Sequence, residues 1–118
     1  MGLFGKSKKN NEYNGYQSSK GRNVPKFTSF DNMVYVIVRD ISDDQTIEIC
    51  DLILGGKPVL ANFSKIPPSM VNEMLAFISG VVYATGGRIE KIEAKSFLFA
   101  RKEEYLDGSL DQYIEDTK

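Results

Sequence analysis

Two rhythms of apolar and polar positions run along this chain. Residues 33–39 (MVYVIVR) form a short, β-branched apolar run, which predicts a buried strand. Ser42, Asp43 and Asp44 then offer an N-cap and two acids for a helix start. Ile47, Cys50, Ile53 and Leu54 recur at helical spacing until Gly55 and Gly56 stop that helix. Residues 57–63 (KPVLANF) read as a second strand, with Pro58 at its start, where proline is tolerated. The strongest periodic signal follows. Pro67 and Pro68 suit a helix start, and Met70, Val71, Met74, Leu75, Ile78, Val81 and Val82 form one wide apolar stripe. Gly86 and Gly87 end it.

The rest of the chain returns to strand spacing. Residues 88–93 (RIEKIE) set Ile89 and Ile92 among charges, one residue short of strict alternation, which predicts a strand with a bulge. Ala94 and Lys95 turn the chain into residues 96–100 (SFLFA), another apolar strand. Asp107 and Gly108 turn it again before a short tail at 110–118 that reads as helical. The order β-α-β-α-β-β predicts an α/β domain (an α+β sandwich) with two helices packed on a four- to five-stranded sheet.

Charge divides the chain. Residues 1–26 hold six basic side chains against Glu12 alone, whereas residues 27–118 hold nine basic and fifteen acidic. A net charge of −1 therefore conceals a basic leader on an acidic body, the asymmetry expected of a tail that meets an anionic surface. Residues 10–25 are polar and rich in Asn, Gly and Ser, so residues 10–30 read as a flexible linker between residues 1–9 and a domain at 31–118. Roughly 80 residues make a small core, which self-association would help to stabilise.

Composition removes several chemistries. There is no histidine, which excludes a Ser-His-Asp triad, a Cys-His pair and a His-ligated metal. The single cysteine, Cys50, excludes an internal disulfide and sits among apolar helix positions as a core filler. One thiol and no secretory signal make a reducing cytosol the expected compartment. Neither glycine pair fits a phosphate-binding loop. Asp40, Asp43 and Asp44 have no aligned base and read as a solvated helix start. No cofactor and no metal is expected, and no segment approaches the roughly 20 apolar residues of a membrane span.

Three places carry candidate binding chemistry. In residues 1–9, Leu3 and Phe4 precede Lys6, Lys8 and Lys9. Apolar insertion plus attraction to anionic headgroups is the physics of a peripheral anchor, against the plainer reading of a basic tail. Myristoylation asks for Ser or Thr at position six, where Lys6 stands. Opposite the long helix's apolar stripe lie Phe77, Gly80 and Ala84. A glycine inside a helix costs about 1 kcal/mol against alanine, so close packing of a second helix at Gly80 is the expected reason for it. That predicts a helix-to-helix contact between two copies; the alternative is burial of both faces within one domain. In the 88–100 hairpin, Phe97 and Phe99 share a face, with Lys91 and Lys95 nearby. An apolar groove with a basic rim suits a short peptide, and ordinary core aromatics are the alternative.

Residue order adds a resemblance. Val59-Leu60-Ala61-Asn62, Phe77-Ile78-Ser79-Gly80, Tyr83-Ala84-Thr85-Gly86 and Phe97-Leu98 follow one another as in the SepF family of bacterial cell division proteins. The chain resembles that family over residues 33–100, and its leader also resembles the family's apolar–basic membrane segment. Departures stand at Ala76, where the family usually has an acid, and at Ala100 and Arg101, where it usually has Thr-Pro. The resemblance implies a homodimer, able to assemble further, that bridges anionic membrane lipids to the C-terminal peptide of FtsZ at the division septum. It implies that Phe97 and Lys91 line or rim the peptide groove, that Gly80 makes a close helix contact, and that Leu3, Phe4 and the lysines take the membrane role. The rival readings are a small nucleic-acid-binding α/β domain, which an acidic body disfavours, and a ligand-sensing domain, for which no convergent polar set exists. Catalysis has the least support, and no nucleic acid is expected as a partner.

Overall fold

The computed structural model describes residues 27–39 and 42–118. Strand β1 (Val34–Ile37) leads into helix α1 (Asp43–Leu54), and strand β2 (Val59–Asn62) into helix α2 (Pro68–Ala84). Strands β3 (Arg88–Glu93) and β4 (Ser96–Ala100) form a hairpin, followed by a 3-10 turn at Lys102–Tyr105 and helix α3 (Ser109–Asp116). The expected order is present, with four strands in the sheet and the helical tail realised as α3.

The strands lie in the order β1-β2-β4-β3. β1 and β2 pair in parallel across the α1 connection, and β4 runs antiparallel to both β2 and β3. β4 therefore takes a central place between two strands joined by α2. Its composition explains this: SFLFA is apolar toward both faces, and Leu98, Phe99 and Ala100 are fully buried. β3 is left at an edge, where its charges remain in water and its register slips between Lys91 and Glu93.

Two cores flank the sheet. On one side Val59, Ala61 and Phe99 pack with Ile49, Ile53, Met74, Ile78 and Val82 of the two long helices. On the other, Leu98, Ala100 and Leu110 form a smaller cluster with Leu60, Ile92, Tyr113 and Ile114. The molecule is thus three layers deep: α1 and α2, the sheet, then α3. This accounts for the imperfect alternation of β3, because Ile89 belongs to the helical core and Ile92 to the opposite one.

Glycines close the helices as the pairs predict. Gly86, just past α2, has φ +72°, in the left-handed region that favours glycine. Gly87 has a second reason that spacing does not reveal. A Cβ there would overlap the Ala100 carbonyl oxygen, so only glycine lets β3 start this close to β4. Cys50 is buried, and burial, with the charge of Asp51, pushes its thiol above the ordinary range. It behaves as an inert core group.

Candidate functional site

The two helices facing solvent on one side of the sheet present an unusual surface. Phe77 is 56% exposed and Tyr83 85% exposed, although both are large aromatics. With Glu73, Ala76, Gly80 and Ala84 they line the outward side of α2. Those positions recur every three to four residues, so they form a single stripe along the helix. Among the described residues, nothing lies within 4 Å of where a Gly80 Cβ would stand, so none of them explains this glycine. From Ala76 to Ala84 the stripe is uncharged and exposed, and an apolar patch left in water is the usual mark of a docking surface.

Beside this stripe, a groove of about 340 Å³ lies between α1 and α2, lined by Asp43, Thr46, Ile47, Met70, Glu73, Met74 and Phe77. Its floor is apolar and rich in methionine, whose unbranched, polarisable side chains adapt to varied partners. Its rim is acidic. α1 and α2 together carry Asp43, Asp44, Glu48, Asp51 and Glu73 and no Lys or Arg. Among the described residues, no ion pair involves either helix. The charges carried by the two helices themselves are therefore all negative, which disfavours nucleic acid along them.

Phe97 and Lys91 stand directly opposite each other in the β3–β4 register. Phe97 faces the helical core, half-buried, and meets Phe63 edge-on with ring centroids 6.0 Å apart. Lys91 is exposed at the sheet edge. The hairpin brings the two together as the pattern anticipates, with Phe97 also serving as a core residue. Neither lines the groove between the helices, whereas Phe77 does. Phe77, Gly80 and Ala84 share the outward stripe. The candidate membrane residues Leu3, Phe4, Lys6, Lys8 and Lys9 lie outside the described residues, as does Asp40. Asp43 and Asp44 occupy the exposed first turn of α1. Among the described residues no cluster of acids or thiols is suited to a metal, and no helix is long and apolar enough to cross a membrane.

Sequence reasoning missed the groove itself. The apolar spacing assigned Ile47, Met70 and Met74 to core stripes, and Met74 is indeed buried. The available signal was that Ile47 and Leu54, seven residues apart, sit off the buried line of Ile49, Cys50 and Ile53; both are about half exposed.

The opposite layer is tied down differently. Arg88 donates to the Asp111 carboxylate and lies 4.0 Å over the Tyr105 ring. Hydrogen bonding to Asp111 is the main cause that raises the Arg88 guanidinium above its ordinary range. Burial pushes the Tyr105 phenol up to about 12. The Ser109 and Ser29 backbone N–H groups donate to Asp107 at 2.9 and 2.8 Å, and with the Ser109 hydroxyl they hold its carboxyl at about 2. Phe30 stacks at a tilt on Tyr113, 5.3 Å between centroids. This layer fastens residues 28–30 to residues 107–113, with Tyr35 and Leu106 still exposed.

Comparison with known proteins agrees with this residue pattern. The family model for "Cell division protein SepF" matches residues 33–103. A "Cell division protein SepF" of Carboxydothermus hydrogenoformans is 29% identical over 76 residues, covering 64% of this chain and 56% of that protein. One from Clostridium tetani is 28% identical over 78 residues, 66% of this chain and 51% of its own. One from Halalkalibacterium halodurans is 29% identical over 97 residues, 81% of this chain and 64% of its own. The chain spans between half and two thirds of the length of these relatives. The family match ends at residue 103, before α3 begins.

Proposed function

The chain belongs to the SepF family of cell division proteins, and we propose that it is a non-catalytic adaptor that tethers FtsZ to the inner face of the plasma membrane at the septum. The single observation that carries this reading is the outward stripe of α2. Phe77, Gly80 and Ala84 form an uncharged, uncovered helix face suited to a second copy of the chain. Pairing two copies doubles the number of leaders and of peptide sites. Individually weak contacts then sum by effective concentration, which is what an adaptor between a surface and a filament requires. Leu3 and Phe4 supply insertion, and Lys6, Lys8 and Lys9 add about 1 kcal/mol each at an anionic surface. Lys91 rims the site for the FtsZ C-terminal peptide, and Phe97 lines it from the sheet. A charged rim speeds encounter with a peptide of opposite charge and makes binding fall with salt.

Co-sedimentation of the full chain with FtsZ filaments and anionic vesicles tests the reading. Both should pellet the protein. Gly80→Lys separates self-association from folding, because open space above Gly80 admits the side chain and the helix gains by losing a glycine. The variant should stay folded by circular dichroism and run as a monomer by light scattering. An unchanged mass would refute the paired helix face. Lys91→Glu is the cleaner probe of the peptide site, since Phe97 also packs the core. It should weaken calorimetric binding of an FtsZ C-terminal peptide, and undiminished binding would move the site elsewhere.

A further inference from the structure

The sheet has two edges, and only one of them carries protection against a neighbouring strand. β3 holds Arg88, Glu90, Lys91 and Glu93 and a register slip, the devices that keep an edge from pairing. β1, at the other edge, reads Val34-Tyr35-Val36-Ile37, without charge, proline or slip. We propose that β1 is a contact between two copies of the chain, in which the two strands pair antiparallel about Tyr35 and join two four-stranded sheets into one.

The backbone fixes which groups are on offer. The Val34 N–H donates to the Pro58 carbonyl at 2.8 Å and the Val38 N–H to the Asn62 carbonyl at 2.9 Å. Even-numbered residues therefore turn toward β2, and Tyr35 and Ile37 turn their N–H and C=O groups to the open side. At the far end of the strand a side chain already stands where a neighbour would. The Gln45 amide donates to the Ile37 carbonyl at 3.0 Å and accepts from the Arg39 N–H at 2.9 Å, as a residue of a parallel strand does. Among the described residues this leaves the Met33 carbonyl, the Tyr35 N–H and C=O, and the Ile37 N–H open. That set is complementary to itself. About a two-fold axis at Tyr35, the two Tyr35 residues exchange N–H and C=O, and each Ile37 N–H meets the Met33 carbonyl of the other copy. Side chains agree. Tyr35 is 57% exposed and gains its own counterpart as a cross-strand aromatic partner. Asp31 lies four residues before Tyr35 and Arg39 four after it; both are exposed, and neither forms an ion pair among the described residues. Antiparallel pairing brings the Asp31 end of each copy to the Arg39 end of the other, opposite charges together.

The consequence rests on the adaptor reading above. The α2 stripe and β1 share no residue, and each pairs about its own two-fold axis. Copies that alternate the two contacts build an open chain rather than a closed pair. A four-residue edge contact is weak alone, so it fills where copies are concentrated, as on a shared surface.

Sedimentation equilibrium of the full chain carrying Gly80→Lys isolates this edge, because that substitution lies on α2 and leaves β1 intact. The protein should be a monomer at about 20 μM and form dimers toward about 1 mM, the range in which a weak contact fills. A monomer throughout would overturn the proposal. In the same background Tyr35→Lys sets lysine opposite lysine at the axis, and Tyr35→Glu sets glutamate opposite glutamate. Each alone should stay monomeric over the whole range, and a one-to-one mixture should dimerise again. Dimers of either variant alone to the parent's extent would overturn the pairing about Tyr35, as would a mixture that stays monomeric. Amide exchange needs no substitution in the strand. The Tyr35 and Ile37 amide hydrogens should exchange at least twofold more slowly at about 1 mM than at about 20 μM, where the contact is empty. Exchange at one fast rate throughout would overturn the contact. Slow exchange at both concentrations would make a segment of the same chain the occupant and overturn it equally. Should Gly80→Lys already be a dimer at about 20 μM, with Tyr35 and Ile37 still exchanging fast there, the helix pairing of the adaptor reading fails by itself, and the concentration dependence of these amides still decides the edge.

Discussion

The two surfaces that flank the sheet solve different problems. Below it, α3 is short, yet it is held by a buried leucine, an arginine shared between a carboxylate and a phenol ring, and an aspartate that accepts three hydrogen bonds. Above it, α1 and α2 bury a larger core but turn Ile47, Leu54, Phe77 and Tyr83 to water, with acids that form no ion pairs among the described residues. The contrast lies in polar pairing rather than in exposed apolar area, since Tyr35 and Leu106, outside the helical layer, are also exposed. On the α3 side acids are held by an arginine and by N–H donors; on the helical side they stand in water.

The largest effect expected from breaking this contrast is at Leu110, which is fully buried and anchors α3. Leu110→Ala should lower unfolding free energy by about 2–5 kcal/mol in urea titrations. A loss under 0.5 kcal/mol would mean that α3 is merely laid on the sheet. Gly87→Ala comes next. Its methyl would meet backbone rather than a flexible side chain, and overpacking of this kind costs about 1–3 kcal/mol, read as a lower melting temperature. An unchanged melting temperature would show that β3 can move away from β4 freely.

Arg88→Met removes both the Asp111 pair and the contact over Tyr105. Because Arg88 and Asp111 are each about half exposed, solvent screens the pair, and a loss of about 1 kcal/mol is expected, shrinking in high salt. The same layer also carries a pH dependence. The Asp107 carboxyl sits at about 2 when folded against an ordinary 3.8, so its contribution is complete above pH 4 and is lost as pH falls toward 2. Tyr105 works at the other end. Its folded value near 12 lies above the ordinary 10, so its stabilising contribution is complete below pH 10 and is lost as pH rises toward 12. Asp107→Asn should flatten the acid limb of the stability profile alone, and a profile with the acid limb intact would remove Asp107 from the account. Phe77→Ser, on the helical layer, should change stability by less than about 0.5 kcal/mol while lowering self-association in sedimentation. A large loss of stability would instead place Phe77 in the core and erase the difference between the two layers.

Much of this was legible along the chain because it is set by near neighbours. The stripe through Met74, Ile78 and Val82 is a helical repeat, and it packs as that repeat demands. The glycine pairs end both long helices, and the bulge expected in residues 88–93 is present as a register slip between Lys91 and Glu93. The solvent side of α2 was readable for the same reason: Phe77, Gly80 and Ala84 lie off the stripe. The family model's match to residues 33–103 accords with the resemblance carried by the residue order.

Other features depend on contacts between distant residues and have no local signature. Local periodicity identifies SFLFA as a strand but does not choose its neighbours. Only the assembled sheet inserts it between β2 and β3 and thereby gives Phe97 a core partner in Phe63. The requirement for glycine at 87 arises from Ala100, and the attachment of Ser29 to Asp107 joins residues 78 apart. The groove is the clearest instance, since its two walls come from separate helices and its residues look like ordinary stripe positions in each. Periodicity reports which way a side chain points from its own element. What stands across from it is settled by packing, which minimises exposed apolar area over the whole chain at once.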